Sequence, residues 1–411
     1  MAKGFTRRGF LTGALGTVAA ASAGSALAGC DRSHTAAAGT SSVVGFRGAH
    51  QAGIATAAQD RLAFAAFDVT TSDKSELIAL LRRWTAAAEL MTRGQPIGAV
   101  GGNGAETVPV DTGEATGLAA ANLTITIGFG PSLFDKRFGL AARKPAALQP
   151  LPSFAGDELR PELSDGDICI QACADDPQVA FHAVRNLNRM GFGVTAMRWF
   201  QLGFGRTSST SSAQQTPRNL LGFKDGTKNV LAEDANDMAG YVWVGSGGDQ
   251  PWLEGGSYLV SRRIQMSIEA WDRDRIGDQQ AVIGRFKPSG APLTGSQEHD
   301  LPNLAAKGTD GTPVIPAHAH IRLASPDSNG GSKILRRGYS FTDGVDSVTG
   351  QLDAGLFFIC FQNDPASGFV RVQRKLATDA LNEYIKHTSS GLFACPPGVA
   401  EGEYWGQRLF S

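Results

Sequence analysis

The chain has 411 residues, with 38 Lys and Arg against 39 Asp and Glu and a net charge of −1. That length leaves room for a substantial core in two domains or one large one, and the balanced charge excludes a nucleic-acid or acidic-membrane partner held by bulk electrostatics. With 51 glycines and 42% hydrophobic residues, the composition is that of a compact protein with many tight turns, not a disordered one.

Residues 1–30 read as an export leader outside the fold. Lys3, Arg7 and Arg8 form a basic start, and the apolar run over 10–28 is rich in Gly, Ala, Ser and Thr instead of Leu, which argues against a membrane span. Thr6-Arg7-Arg8-Gly9-Phe10-Leu11 has the form of a twin-arginine signal, a route for proteins exported already folded. Ala26-Leu27-Ala28 offers a cleavage site that frees a secreted product, whereas Leu27-Ala28-Gly29-Cys30 has the form of a lipobox that leaves Cys30 lipid-anchored. Residues 31–45 then serve as a flexible tether.

Residues 62–69 alternate like a strand. Asp73-Lys74-Ser75-Glu76 makes a capping box, and Leu77, Leu80, Leu81, Trp84 and Ala88 follow at helical spacing. The same order returns at 168–173, where Asp176-Pro177 opens a helix carrying Ala180, Val184 and Leu187. It returns again at 356–361, where Asp364-Pro365 precedes Phe369, Val372 and Leu376. Three copies of strand, cap and amphipathic helix predict an α+β fold with helices laid on one face of the sheets. Five cysteines (30, 169, 173, 360 and 395) are too few for a disulfide scaffold; Cys169 and Cys173 share one face of a strand and read as buried small hydrophobes. His182, beside Phe181 on the second helix, reads as a packed or surface residue.

Three stretches carry polar chemistry. In Gly222-Phe223-Lys224-Asp225-Gly226-Thr227 an acid sits among turn-forming residues, and alone it reads as an ordinary turn Asp. Ala317-His318-Ala319-His320 places two imidazoles two residues apart; on an extended segment they point the same way and can chelate copper or zinc. Arg336 follows, with a guanidinium that keeps its charge in a closed pocket. Asp379 and Glu383 are an i,i+4 pair on a late helix.

Gly222-Phe223-Lys224-Asp225-Gly226-Thr227, His320-Ile321-Arg322-Leu323-Ala324, Leu335-Arg336-Arg337-Gly338-Tyr339-Ser340 and Gly355-Leu356-Phe357-Phe358 together resemble the motifs of the dye-decolourising peroxidase family, in its exported deferrochelatase-type branch. His50-Gln51-Ala52-Gly53-Ile54, Asn122-Leu123-Thr124-Ile125-Thr126 and Trp271-Asp272-Arg273 extend the likeness over nearly all of the chain after about residue 45.

The resemblance implies two ferredoxin-like halves of the dimeric α+β barrel type, 46–215 and 216–411, divided near the Ser/Thr-rich run 207–216. Antiparallel sheets would carry helices packed on them, with haem in the C-terminal half. It implies haem b bound without a covalent link, since no Cys-x-x-Cys-His is present. The activity implied is reduction of hydrogen peroxide and oxidation of organic donors, dyes and phenolics, through a high-valent iron-oxo state, favoured at acidic pH.

On this resemblance His320 is the proximal iron ligand, and Asp379 and Glu383 are candidate acceptors for its other N–H. Asp225 would shuttle a proton and Arg336 stabilise charge on the opposite side, which Leu356 and Phe358 would keep dry and narrow. Arg322 is a candidate partner for a haem propionate or for a surface ion pair. Tyr339, Tyr384, Tyr404 and Trp405 either pack or relay oxidising equivalents to donors too large for the pocket. Implied partners are peroxide, organic donors and the twin-arginine export machinery, with a lipid anchor at Cys30 and an oligomer left open. Two other readings stand beside this one: a haem-iron handling, deferrochelatase-like component of iron uptake, and a copper or zinc binder using His318 and His320.

Overall fold

The computed structural model describes residues 42–101 and 104–411; the leader, its cleavage alternatives and Cys30 lie outside them. β1 (Arg61–Val69) leads to Asp73, which accepts the Ser75 N–H at 2.7 Å and opens α1 (Lys74–Thr92). Glu76 bonds Thr71 instead of closing a capping box. The apolar face of α1 is the predicted one, with Leu77, Leu80, Leu81, Trp84 and Ala88 all buried. β2 (Thr124–Phe129) and β3 (Ile168–Ala174) follow. Asp176 then caps α2 (Pro177–Met190), and β4 (Thr195–Arg206) completes the half.

These strands lie in the order β4-β1-β3-β2, all antiparallel, which is the arrangement of a ferredoxin-like unit. The second half contains β5 (Ser257–Met266), α3 (Ile276–Ile283), α4 (His320–Ala324), β6 (Leu335–Arg336), β7 (Tyr339–Val345), β8 (Leu352–Gln362), α5 (Arg371–Lys375) and β9 (Ile385–Cys395). Its strands repeat the pattern as β9-β5-β8-β7, with β6 on the same edge of β8 as β7. The two sheets meet at narrow seams, Phe129 with Ala394 and Phe204 and Arg206 with Ser340 and Tyr339. With β5 also paired to β8, the strands close into a barrel, and closure removes exposed sheet edges.

Inside the barrel, Phe64 packs against Trp199 and Phe357 with ring centroids 5.2 Å apart in both cases. Cys169, Cys173 and Cys395 are buried in the same cluster as free thiols.

The structure departs from the sequence pattern in one place that shapes the cavity described below. The third expected helix is broken: after Asp364-Pro365 the chain makes a wide turn over Ala366–Val370, in which Gly368 is non-helical, and α5 has only five residues. The break lets Phe369, Val372 and Leu376 face a cavity instead of lying on a sheet. The Ser/Thr-rich run 207–216 is partly buried. Thr207, Ser208, Ser209 and Thr210 are buried, and Thr210 Oγ1 donates to Thr56 O at 2.7 Å.

Candidate active site

A cavity of about 1350 Å³ lies between the sheet of the C-terminal half and the α4 and α5 segments. It exceeds the roughly 300–1,000 Å³ of ordinary small-molecule sites. Ile264, Met266, Leu356, Phe358 and Ile385 line it from the strands, and Val372, Leu376 and Leu381 from the opposite side.

His320 enters from that opposite side. It is the first residue of α4, and its Nδ1 lies 2.6 Å from Asp379 Oδ2. Asp379 is held in turn by the Leu381 N–H, which donates to Oδ1 at 2.9 Å. The carboxylate fixes the proton on Nδ1 and leaves the Nε2 lone pair free. Burial opposes a charge on this ring, but Asp379 outweighs it and lifts the imidazole above its ordinary value. Glu383, the other candidate acceptor, is exposed. The two acids share no helix, because Asp379 is the extended cap residue of the short turn Ala380–Glu383.

Asp225 and Arg336 face the cavity together. Arg336 Nη1 donates to Asp225 Oδ1 at 2.8 Å, and Asn219 Nδ2 donates to Oδ2 at 3.2 Å. Asn229 holds the backbone of β6: its Oδ1 accepts the Arg336 N–H at 2.7 Å, and its Nδ2 donates to Arg336 O at 2.8 Å. Asp225 and Arg336 are both among the charges that His320 feels. Leu356 and Phe358 line the same space, as their alternation on the strand requires.

Other expected residues lie elsewhere. Arg322 does not reach the cavity, because two residues along a helix is a rotation of about 200° from His320. Its guanidinium is committed to backbone, with Nη2 donating to Ile315 O at 2.6 Å and Leu304 O at 2.7 Å. The segment at His318 is not a continuing strand, since α4 begins at His320; His318 is exposed and its Nδ1 lies 3.0 Å from Thr378 O. His182 is buried in the N-terminal half, between Asp111 and Glu114. Tyr339 is fully buried in the barrel, and Tyr404 and Trp405 pack in the core with α1. Tyr384 sits edge-on to Trp271, centroids 4.9 Å apart, with its hydroxyl donating to the Asp274 carboxylate.

Sequence reasoning missed Asn219, Asn229, Arg285, Arg262 and His387. Arg285 is a buried cavity-lining cation whose Nη1 donates to Gly290 O at 2.6 Å and Glu298 O at 2.9 Å. Burial and, less strongly, the nearby Arg336 charge lower its guanidinium from the usual value, against the pull of Glu298. Nothing in the local sequence marks it; only the fold brings it beside Arg336.

Two family descriptions match the chain in order: Dyp-type peroxidase, N-terminal, over residues 51–205, and Dyp-type peroxidase, C-terminal, over residues 216–400. The chain is 41% identical over 375 residues to the deferrochelatase of Escherichia coli (strain K12), a match covering 89% of this chain and 86% of that one. Among solved structures it is similar to the X-ray generated oxyferrous complex of DtpA from Streptomyces lividans, with a TM-score of 0.82 and 42% identity over 90% of this chain and 98% of that one. The DyP-type peroxidase from Cellulomonas bogoriensis gives a TM-score of 0.80 and 40% identity over 90% of this chain and 99% of that one. Fold, site geometry and these likenesses agree: the chain belongs to the Dyp-type peroxidase family.

Proposed function

We propose that this chain is a haem b peroxidase working outside the cytoplasm, in which His320 would hold the iron and Asp225 and Arg336 would act on peroxide in the same cavity. The observation that carries the reading is the pair His320–Asp379 facing the pair Asp225–Arg336 across one large, mainly apolar cavity. The residues fit the cofactor. Among the described residues no cluster of three His, Cys, Asp or Glu could hold a bare metal ion, so a lone imidazole suits an iron that brings its own equatorial ligands.

When bound, haem supplies the redox-active iron at which hydrogen peroxide is reduced and organic donors are oxidised. Asp379 keeps the His320 ring in one tautomer and makes its free nitrogen more basic. With haem and peroxide bound, Asp225 would take a proton from one peroxide oxygen and return it to the other as the O–O bond breaks. The Arg336 guanidinium holds the negative charge that develops between them. Leu356 and Phe358 exclude water from that side. Arg285, buried and facing the cavity, is better placed than Arg322 for a propionate carboxylate.

The name carried by the curated relatives supports a second reading, release of iron with the porphyrin left intact. Such a step needs side chains to receive the metal, and the described residues offer no cluster for it. Incubation with haem separates the two: recovery of intact porphyrin supports release, and peroxide-dependent donor oxidation without it supports the peroxidase.

The leader motif Thr6-Arg7-Arg8-Gly9-Phe10-Leu11 supports twin-arginine export after haem loading, and Cys30 supports lipidation of the mature N-terminus. Mass spectrometry of the mature N-terminal peptide decides between a lipidated Cys30 and cleavage after Ala28. The visible spectrum of the purified protein, with and without peroxide, tests the main reading. A Soret band is expected in the wild type and its loss in His320→Ala; a colourless wild type overturns the proposal.

A further inference from the structure

β9 pairs with β5 residue for residue from Cys395 back to Ser389 and then slips: Arg263 faces Ser389, whereas Ile264 faces His387. Thr388 is the extra residue of a bulge, and bulges re-aim the side chains beside them. Thr388 turns to the far face, where its hydroxyl accepts from Arg263 Nη1 at 3.1 Å. His387 is thereby brought onto the cavity face, in one row with Ile264 and Leu356. It stands two strands, about 10 Å, across the sheet from Leu356.

The His387 ring is 4% exposed, and its nitrogens bond to no described residue. Arg262, ion-paired to the buried Asp157 carboxylate, lies beside it. These are the charged groups facing the ring among the described residues, Arg262 from β5 and Asp157 from the loop that runs along β9. Burial, assisted by Arg262 and opposed by Asp157, pulls the imidazole down to about 4, so the ring keeps a free lone pair over most of the acidic range. Phe358 and Phe369, 6.0 Å apart, supply aromatic surface at the same end of the cavity.

We propose that His387 is the proton acceptor of a subsite for phenolic donors, its imidazole receiving the phenol O–H while the phenol ring lies against the apolar sheet face. The subsite rests on the peroxidase reading and adds to it the place where one class of donor is held. In the step it serves, the phenol O–H bond breaks, the proton passes to the imidazole nitrogen, the electron passes to the peroxide-oxidised cofactor, and a phenoxyl radical leaves. A carboxylate-free acceptor suits this work, because it takes up the proton without first repelling an electron-rich ring.

Equilibrium binding to the ferric holoenzyme without peroxide tests the idea, using phenol and its methyl ether anisole as probes. Wild type should bind phenol about ten-fold more tightly than anisole, the worth of one buried hydrogen bond. His387→Leu should erase that preference and leave anisole binding unchanged, and His387→Gln, which keeps an acceptor, should retain part of it. Equal affinities in the wild type, or a preference that survives in His387→Leu, overturn the subsite. The Soret band of the same samples keeps the two readings apart. A normal band without phenol preference sinks the subsite alone, and no band sinks the haem reading with it.

Discussion

His320 Nδ1 lies 2.6 Å from Asp379 Oδ2, and Asp379 is locked in place by the N–H of Leu381. A buried carboxylate at that distance gives the imidazole partial anionic character. Asp379→Asn preserves the shape and removes the charge. We expect haem to remain bound, its reduction potential to rise, and the reaction with peroxide to slow by about 10–100-fold. Spectroelectrochemistry and stopped-flow absorbance check both, and an unchanged potential would show that Asp379 does not tune the ligand.

Asp225 and Arg336 are directly bonded, so their contributions should not add. Asp225→Ala is expected to slow the reaction with peroxide by about 10²–10⁴-fold, the usual scale of a positioned acid–base group. Arg336→Leu should cost about 10²–10³-fold, the scale of one charge-stabilising donor. The double variant should be little slower than the worse single variant. Stopped-flow measurement of all four proteins decides, and strictly multiplicative losses would mean that the two act in separate steps.

Arg322 stands in the family-like motif yet serves the scaffold. Its guanidinium ties the backbone at Leu304, Ile315 and Pro316. Hydrogen bonds from a charged group contribute about 1.5–3 kcal/mol, so Arg322→Met should lower stability by about that much while haem content and peroxide rate stay near wild type. Arg285→Met also loses backbone bonds, to Gly290 O and Glu298 O, so it should lower stability too and, unlike Arg322→Met, release haem more readily. Urea unfolding, together with haem-to-protein absorbance ratios, distinguishes the two variants.

The fold was legible where local rules and tertiary packing agree. Asp73 and Asp176 cap their helices as the sequence suggests, and Leu77, Trp84, Val184 and Leu187 are buried where the period places them. Legibility failed where a local rule yields to the cavity. The helix after Asp364-Pro365 is broken at Gly368, and Phe369, Val372 and Leu376 line the cavity instead of packing on a sheet. Within the site, His320, Asp225, Arg336, Leu356 and Phe358 sit in recognisable motifs, and all line the cavity. Arg285 and His387 carry no local signal: the first depends on long-range packing, the second on a one-residue bulge that periodicity cannot show.

Tyr384 is the aromatic best placed to carry oxidising equivalents outward. Its ring meets Trp271 in a cluster with Met266 and Leu381, which line the cavity, and its hydroxyl donates to Asp274. That bond, with burial and the Asp274 charge, pushes the phenol up to about 12, and the carboxylate can take the proton when an electron leaves. Tyr384→Phe should lower turnover of a bulky dye several-fold without changing the reaction with peroxide. Equal dye turnover in both proteins would exclude the route.

The buried His387 also sets a stability term with a definite sign. Above about pH 6.5 the ring is neutral in the folded and the unfolded chain and contributes no pH dependence. As pH falls from 6.5 to about 4, the unfolded chain takes up a proton that the folded one refuses, so stability drops across that window. Below about 4 both states are protonated and the loss ends. A downward shift of this size corresponds to at most about 3 kcal/mol. His387→Gln removes the term, whereas the carboxylates titrate alike in both proteins and cancel in the comparison. Urea unfolding at pH 7 and at pH 4 should therefore show a smaller loss in His387→Gln than in the wild type, by up to about 3 kcal/mol. Parallel losses in the two proteins would mean that the ring is already hydrated and titrates normally in the fold.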